Sequence, residues 1–164
     1  MGKVNEDDLD WSELERGETT FRRKRLGAAA GGDRLGTSLY ELPPGRRSWP
    51  YHYHEGNEEA LYVLAGTGTI RLADETESLE AGDYVALPTG EHGGHRVIND
   101  SAEPLRYLML STMDDPDVTV YPDSEKVGVF AGAPPGSREE RTVSGFFRTD
   151  DDIDYWKGEE NEES

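Results

Sequence analysis

Two histidines separated by one residue, His52 and His54, form the part of the sequence best suited to chemistry. Alternate side chains of a β-strand point to the same face, so both imidazoles would converge on one point. Paired imidazoles are typical ligands of divalent transition metals. Glu58 and Glu59 follow after a short polar turn, where a carboxylate can reach back to the same point. This pattern predicts a metal site.

The other two histidines, His92 and His95, lie together in a second turn-bounded segment. The chain has 4 histidines in all, and random scatter would rarely collect them in two short segments. A distal histidine would complete a set of three imidazoles and one carboxylate. The residues alone leave open which of His92 and His95 is the ligand, and they leave open the choice between Glu58 and Glu59. The absence of cysteine excludes thiolate ligands.

The elements that would position these residues are short strands separated by turns rich in Gly, Pro and Asp, a rhythm typical of an all-β sandwich or barrel. The candidate strands are 36–42, 47–54, 59–65, 68–73, 83–87, 95–99 and 104–112. Only 10–15 and 123–127 have a pattern that allows a helical turn or two. Segments 114–124 and 131–141 are expected to be long polar connections.

The length of 164 residues fits one domain with a core of its own. We expect residues 1–20 to be an acidic N-terminal arm and residues 21–149 to be the folded domain. The motif core of that domain spans 40–112. Residues 150–164 are expected to be an acidic C-terminal tail.

The spaced positions in this core resemble the two sequence motifs of the cupin superfamily. One motif runs through Gly45, His52, His54, Glu59 and Gly66, and the other through Gly82, Pro88, Gly90, His95 and Asn99. The resemblance implies an all-β jelly-roll barrel (a double-stranded β-helix) with N- and C-terminal extensions. It also implies one divalent transition metal per chain, with the ligands His52, His54, Glu59 and His95.

Spacing within the resembling motifs chooses between the open alternatives. The number of residues up to Gly66 favours Glu59 over Glu58 as the ligand. The number of residues up to Asn99 favours His95 over His92. The stretch between Gly90 and His95 is two residues longer than the family pattern, so His92 remains the alternative ligand. On the loop at the mouth of the barrel, His92 would otherwise be a candidate acid or base. Zn, Mn, Fe, Ni and Co all accept such a ligand set.

The flanking segments also resemble single-domain bacterial and archaeal cupins, some of which carry the label sugar-phosphate isomerase. The resemblance implies a metal-binding cupin that acts on a small polar metabolite, sugar-like or sugar-phosphate-like, as an isomerase or epimerase. A non-catalytic module that binds or senses a small molecule is one alternative, and a metal-dependent dioxygenase is another. An open coordination position on the metal is compatible with all three functions.

The formal charge of −18, from 35 acidic and 17 basic residues, limits the partners. Such a surface repels phosphates and anionic lipids, so neither nucleic acid nor a membrane is expected as a partner. No apolar run reaches the roughly 20 residues of a membrane span, and the first residues lack the apolar stretch of a signal peptide, so we expect a cytoplasmic protein. Excess acid together with more Arg than Lys favours a halophilic source, where salt screens self-repulsion.

The basic run Arg22-Arg23-Lys24-Arg25 is the exception to this acidic composition. It is expected to be a solvated strand edge or a set of ion-pair partners for the acidic residues. Edge strands of a jelly roll must be covered, so we expect a homodimer in which strands near the N-terminus pair across the interface. Ile153, Tyr155 and Trp156 are expected to pack on the barrel or on a second subunit.

Overall fold

Short strands joined by turns make up most of the computed structural model, which describes residues 2–137 and 140–159. All pairings between its named strands are antiparallel. The all-β class predicted from the sequence is therefore confirmed. None of the helices in the described part of the chain is long and apolar enough to cross a membrane.

The strands form three sheets. In spatial order, the six-stranded sheet contains β1 (Ser12–Arg16), β2 (Thr19–Arg25), β3 (Leu35–Leu42), β10 (Leu105–Thr112), β5 (Glu59–Ala65) and β8 (Tyr84–Leu87). The four-stranded sheet contains β13 (Val143–Arg148), β12 (Lys126–Ala131), β11 (Asp117–Tyr121) and β4 (Tyr53–His54). The three-stranded sheet contains β7 (Thr76–Glu80), β6 (Thr67–Arg71) and β9 (Arg96–Ile98).

In residues 2–137 and 140–159, helical structure is confined to short pieces: the four-residue helix α1 (Leu26–Ala29) and the 3₁₀ turns Glu6–Asp8, Glu91–Gly93 and Pro122–Ser124.

The hydrophobic core is built jointly by the six-stranded and the three-stranded sheets. Its buried side chains are Phe21, Tyr40, Leu42, Leu61, Val63, Ile70, Leu79, Leu87, Val97, Leu105 and Tyr107. Strand β5 has the alternation that such packing needs, since Leu61 and Val63 are buried while Tyr62 and Leu64 are exposed. The same period of two places Glu59 on the inward face of β5.

Three of the expected local elements were wrong. Of the predicted strand 47–54, only Tyr53–His54 is a strand, although His52 forms an isolated antiparallel bridge with His95. Segment 10–15 is not helical, because Ser12–Arg16 pairs along β2 as an edge strand. The expected polar connection 114–124 contains β11, a full member of the four-stranded sheet.

The two ends of the chain differ in their contacts with the body. In the N-terminal arm, Leu14 packs against the core, and the Trp11 ring lies beneath the guanidinium of Arg22 at 4.4 Å. In the tail, Ile153, Tyr155 and Trp156 are 64%, 81% and 60% exposed. The prediction that these three side chains pack on the barrel is therefore wrong for the barrel of their own chain. Residues 160–164 of the predicted tail lie outside the described residues.

Candidate metal centre

Four polar side chains converge on one side of the core. His54 is the last residue of β4, and His52 directly precedes that strand. Glu59 is the first residue of β5, and His95 directly precedes β9. The ligand atoms of His52, His54 and Glu59 all lie within 4.8 Å of one another. The Nε2 atom of His95 lies 3.5 Å from Glu59 Oε2, and the His52 and His95 rings are 4.8 Å apart. The three imidazoles are buried.

Backbone hydrogen bonds hold the two histidine segments together. His52 N donates to His95 O at 3.3 Å, and His95 N donates to His52 O at 3.0 Å. Gly90 N donates to His54 O at 2.8 Å, which fixes the loop that leads to His95 against β4. Residues some 40 positions apart in sequence therefore face one another through the backbone, and the site does not depend on side-chain contacts for its assembly.

Each imidazole donates its Nδ1 proton to the protein. His52 Nδ1 donates to Pro50 O at 2.7 Å, and His95 Nδ1 donates to Gly93 O at 2.9 Å. A carbonyl oxygen can only accept, so these bonds fix the tautomer with the proton on Nδ1. His54 Nδ1 donates to Asp117 Oδ2 at 2.6 Å. All three Nε2 atoms therefore have a lone pair available for a ligand, the arrangement usual for metal-binding histidines.

Asp117 and Thr119 of β11 support His54 from behind. The Asp117 carboxylate also accepts from Gly56 N at 2.8 Å and from the Thr119 hydroxyl at 3.3 Å. Burial by itself would lower the pKa of His54, but the hydrogen bond to Asp117 and the charge of Glu59 outweigh it and raise that pKa. Burial by itself would raise the pKa of Asp117, but the hydrogen bond with His54, the charge of that ring and the backbone hydrogen bond from Gly56 together outweigh it and lower that pKa. A more basic imidazole is a stronger metal ligand.

His52 and His95 are held in the neutral form. Burial, followed by the nearby His95 and His54, moves the pKa of His52 well below its ordinary value. Burial also lowers the pKa of His95, against the opposing charge of Glu59. Since a proton on Nε2 would compete with a metal, neutral imidazoles are the form that coordination requires.

Glu59 is the feature that most needs an explanation. Its Oε2 atom is buried and has no hydrogen-bond partner among the described residues. His54 Nε2 and His95 Nε2 lie 3.6 and 3.5 Å away, too far for good hydrogen bonds. Metal–ligand distances of about 2.0–2.2 Å place two ligands of one ion roughly 3–3.6 Å apart. The orphaned oxygen and its neighbours therefore fit a shared divalent cation.

The competing residues lie elsewhere. Glu58 is exposed, as expected from its position on the opposite face of the strand to Glu59. His92 is exposed on the 3₁₀ turn Glu91–Gly93 and is not among the described residues that line the cavity. The structure thus brings His95 and Glu59 into the cluster and leaves His92 and Glu58 outside it. The acid or base role of His92 stays a prediction.

Sequence reasoning missed Asp117, Thr119 and Tyr121. These residues alternate with Val118 and Val120 on β11, and the Tyr121 ring stacks on His52 at 5.7 Å. The Asp and Pro residues of 114–116 are typical of a turn, which favours the prediction of a polar connection over that of a strand. The alternation of polar residues with β-branched valines was the signal for a strand with a polar inner face.

A cavity of about 450 Å³ opens above the cluster. His52, His54, Glu59 and His95 line it together with hydroxyl-bearing side chains, which include Tyr40, Ser48, Tyr107, Thr119 and Tyr121. Burial raises the pKa of Tyr121, and burial moves that of Tyr107 well above its ordinary value. Both phenols are therefore neutral and can exchange hydrogen bonds with a hydroxylated ligand.

The match with a known family decides the nature of this domain. Residues 38–111 match the family model of the cupin domain. These residues are a cupin domain. The predicted jelly-roll fold is confirmed by the antiparallel sheets and by the solved structures that the chain resembles. No curated protein matches the chain.

Two solved structures resemble this chain over nearly its whole length. A proposed sugar phosphate isomerase from Acidithiobacillus ferrooxidans is 26% identical, with a TM-score of 0.78 and 90% of both chains covered. A sugar phosphate isomerase of the cupin superfamily from Silicibacter pomeroyi is 24% identical, with a TM-score of 0.76 and coverage of 91% and 94%.

A third solved structure, a proposed oxalate decarboxylase from Thermotoga maritima, is 24% identical, with a TM-score of 0.59. The match covers 66% of this chain and 96% of that protein. At these identities the second and third structures indicate the fold only.

Proposed function

We propose that this cupin is a metal-dependent enzyme that isomerises or epimerises a small polar metabolite, sugar-like or sugar-phosphate-like. One divalent transition metal per chain would be held by His52, His54, Glu59 and His95. The proposal depends on the buried Glu59 oxygen, which has no hydrogen-bond partner in the described part of the chain and faces imidazole nitrogens at the distances that a shared ion requires.

The bound metal would supply Lewis-acid polarisation of a carbonyl or hydroxyl of the substrate. Asp117 would keep the His54 ring in place and raise the basicity of its Nε2 atom. The neutral hydroxyls of Tyr107 and Tyr121, with Ser48, would orient the hydroxyl groups of the substrate in the cavity. The likeness to the Acidithiobacillus ferrooxidans protein supports this substrate class.

The test has two parts. Elemental analysis of protein purified without a histidine tag should find about one divalent transition metal per chain. The metal-loaded protein is then incubated in D₂O with a panel of aldose and ketose phosphates and the free sugars. NMR should detect a new isomer, which carries deuterium where the reaction removes a carbon-bound proton and returns one from solvent.

Other outcomes distinguish the remaining functions. Oxygen uptake by protein that contains iron in the site would indicate a dioxygenase and would contradict the proposed isomerase activity. Ligand-induced stabilisation without turnover would indicate a binding or sensing module. Protein that is folded at neutral pH but takes up no divalent metal would refute the metal centre itself.

A further inference from the structure

The basic run of β2 divides between the two faces of its strand. Arg22 and Lys24 point outward, where Arg22 pairs with Glu41 at 2.7 Å and both cations lie over the Trp11 ring. Arg23 and Arg25 belong to the other face, the face of the buried Phe21, and both line the cavity above the metal cluster. The prediction that the basic run forms a solvated strand edge is therefore wrong for Arg23 and Arg25.

Arg23 is held in a fixed position by neutral groups. Its Nη1 atom donates to the Tyr40 hydroxyl at 3.2 Å, and its guanidinium lies 5.5 Å from the centre of the Trp49 ring. Trp49 Nε1 donates to the same Tyr40 oxygen at 3.1 Å, which leaves the hydroxyl proton of Tyr40 to donate elsewhere. Within the described residues no carboxylate lies within ion-pair distance of Arg23.

Arg141 approaches the same cavity from the connection between β12 and β13. Its Nε and Nη2 atoms donate to Ala133 O at 3.1 Å and Pro134 O at 3.0 Å, and its guanidinium lies over the Phe130 ring at 4.8 Å. These contacts orient the guanidinium without neutralising it, because the carbonyl oxygens carry no net charge. Arg141 thus contributes positive charge to the cavity wall.

The surrounding charge makes these arginines unusual. The chain has a net charge of −18, and within the described residues seven other arginines lie at ion-pair distance from a carboxylate. The carboxylates among the described residues lining the cavity are the exposed Asp33 and Glu59, the proposed metal ligand. Because Arg23 and Arg141 have no carboxylate partner among the described residues, their guanidinium groups create a local attraction for anions, strengthened by the low dielectric of a cavity.

We propose that Arg23 and Arg141 form an anion-binding subsite for a phosphate or carboxylate group of the substrate, with the Tyr40 hydroxyl as a third donor. The inference rests on the proposed function, since it assigns one end of the substrate to this subsite and the reacting end to the metal cluster. A planar guanidinium presents paired N–H donors that match the oxygens of phosphate and carboxylate groups. The cavity volume of about 450 Å³ admits a ligand of sugar-phosphate size.

Calorimetric titration of the metal-loaded protein with glucose 6-phosphate, gluconate and neutral glucose tests the subsite. At least one anion should bind about tenfold or more tightly than glucose, and Arg23→Gln and Arg141→Gln should each remove most of that advantage. Preference for glucose 6-phosphate would identify a phosphate subsite, and preference for gluconate a carboxylate subsite. Arg22→Gln is the matched control, since it removes the same charge from the outward face of the same strand.

Three results would overturn the subsite: no anion preferred over glucose, an equal loss in Arg22→Gln and Arg23→Gln, or an advantage unchanged in both Arg23→Gln and Arg141→Gln. Repeating the titrations with His54→Ala separates this inference from the metal centre. The preference for the anion should persist there, because the arginines do not depend on the ion. Failure of the metal proposal alone would leave the anion preference intact, whereas failure of the subsite would leave metal binding intact.

Discussion

His54 and Asp117 are joined by a 2.6 Å hydrogen bond that links β4 to β11 across 63 positions of sequence. The carboxylate is completely buried and is satisfied by His54, Gly56 N and the Thr119 hydroxyl. A buried carboxylate that fixes the Nδ1 proton of an imidazole leaves the opposite nitrogen as a directed, more basic ligand. The pair therefore connects the folding of the four-stranded sheet to the chemistry of the cavity.

The first prediction concerns this pair. Asp117→Asn should weaken metal binding by roughly 10–100-fold, because the amide keeps the shape of the carboxylate but loses the charge that strengthens the imidazole. Competition with a fluorescent chelator measures the dissociation constant. Asp114→Asn is a suitable control, since the Asp114 carboxylate is half exposed and its one ion pair with a described residue is a 3.9 Å contact with Arg34. Equal metal affinity in wild type and Asp117→Asn would mean that Asp117 has only a structural role.

The second prediction separates the competing histidines. His95→Ala should lose most of the bound metal, because it removes an Nε2 atom 3.5 Å from Glu59 Oε2. His92→Ala should retain it, because the His92 side chain is exposed outside the cluster. Elemental analysis of both purified variants gives the occupancy. The opposite pattern, with metal lost only in His92→Ala, would show that the assignment of the distal ligand is wrong.

The third prediction applies the same logic to the two glutamates. Glu59→Gln should lower metal occupancy sharply, because an amide oxygen cannot replace the anionic ligand, whereas Glu58→Gln should leave it unchanged. Glu59→Gln should also retain or gain stability without metal, because it removes a buried carboxylate oxygen that has no hydrogen-bond partner within the described residues. Thermal unfolding in the presence of a chelator checks this second effect. A large loss of stability there would indicate that Glu59 is a structural residue.

The sequence carried enough information for the local parts of the site. The spacing of His52 and His54, and the position of Glu59 on an apolar strand, depend on neighbours in sequence and on the period of two of a strand. Asp117 could not be assigned to His54 in this way, because strand pairing across 63 positions leaves no local trace. The prediction of a helical turn at 10–15 was wrong for a related reason. Pairing with β2 outweighs the weak local conformational preference of Ser12–Arg16 and makes this segment a strand.

The fourth prediction concerns salt. With a net charge of −18, carboxylate repulsion opposes folding at low ionic strength, and molar KCl reduces the screening length to about 3 Å. The melting temperature should therefore rise by roughly 5–10 °C between dilute buffer and molar KCl, which corresponds to a few kcal/mol of stability. His54→Ala should give the same rise, because the effect does not involve the metal. A flat or falling melting temperature would refute the expected adaptation to salt.

The final prediction concerns assembly. Phe146 and Phe147 of β13 are 61% and 54% exposed. The tail residues Tyr155 and Trp156 are 81% and 60% exposed. Since Tyr155 and Trp156 are exposed on their own chain, we expect a second copy of the chain to cover these apolar side chains in a homodimer. Burial of one such aromatic side chain contributes about 2–3 kcal/mol, so changing Tyr155 and Trp156 together to Ser should weaken the dimer by ~100-fold or more.

Multi-angle light scattering across a concentration series, in high salt to screen charge repulsion, measures this change. The control replaces Asp151 and Asp152 by Asn, which alters the same segment without removing apolar surface, and should preserve the dimer. Wild-type protein that is monomeric at micromolar concentration would refute the dimer. A dimer that survives the loss of both aromatic side chains would instead exclude the tail from the interface and leave edge strand β1 as the surface that pairs.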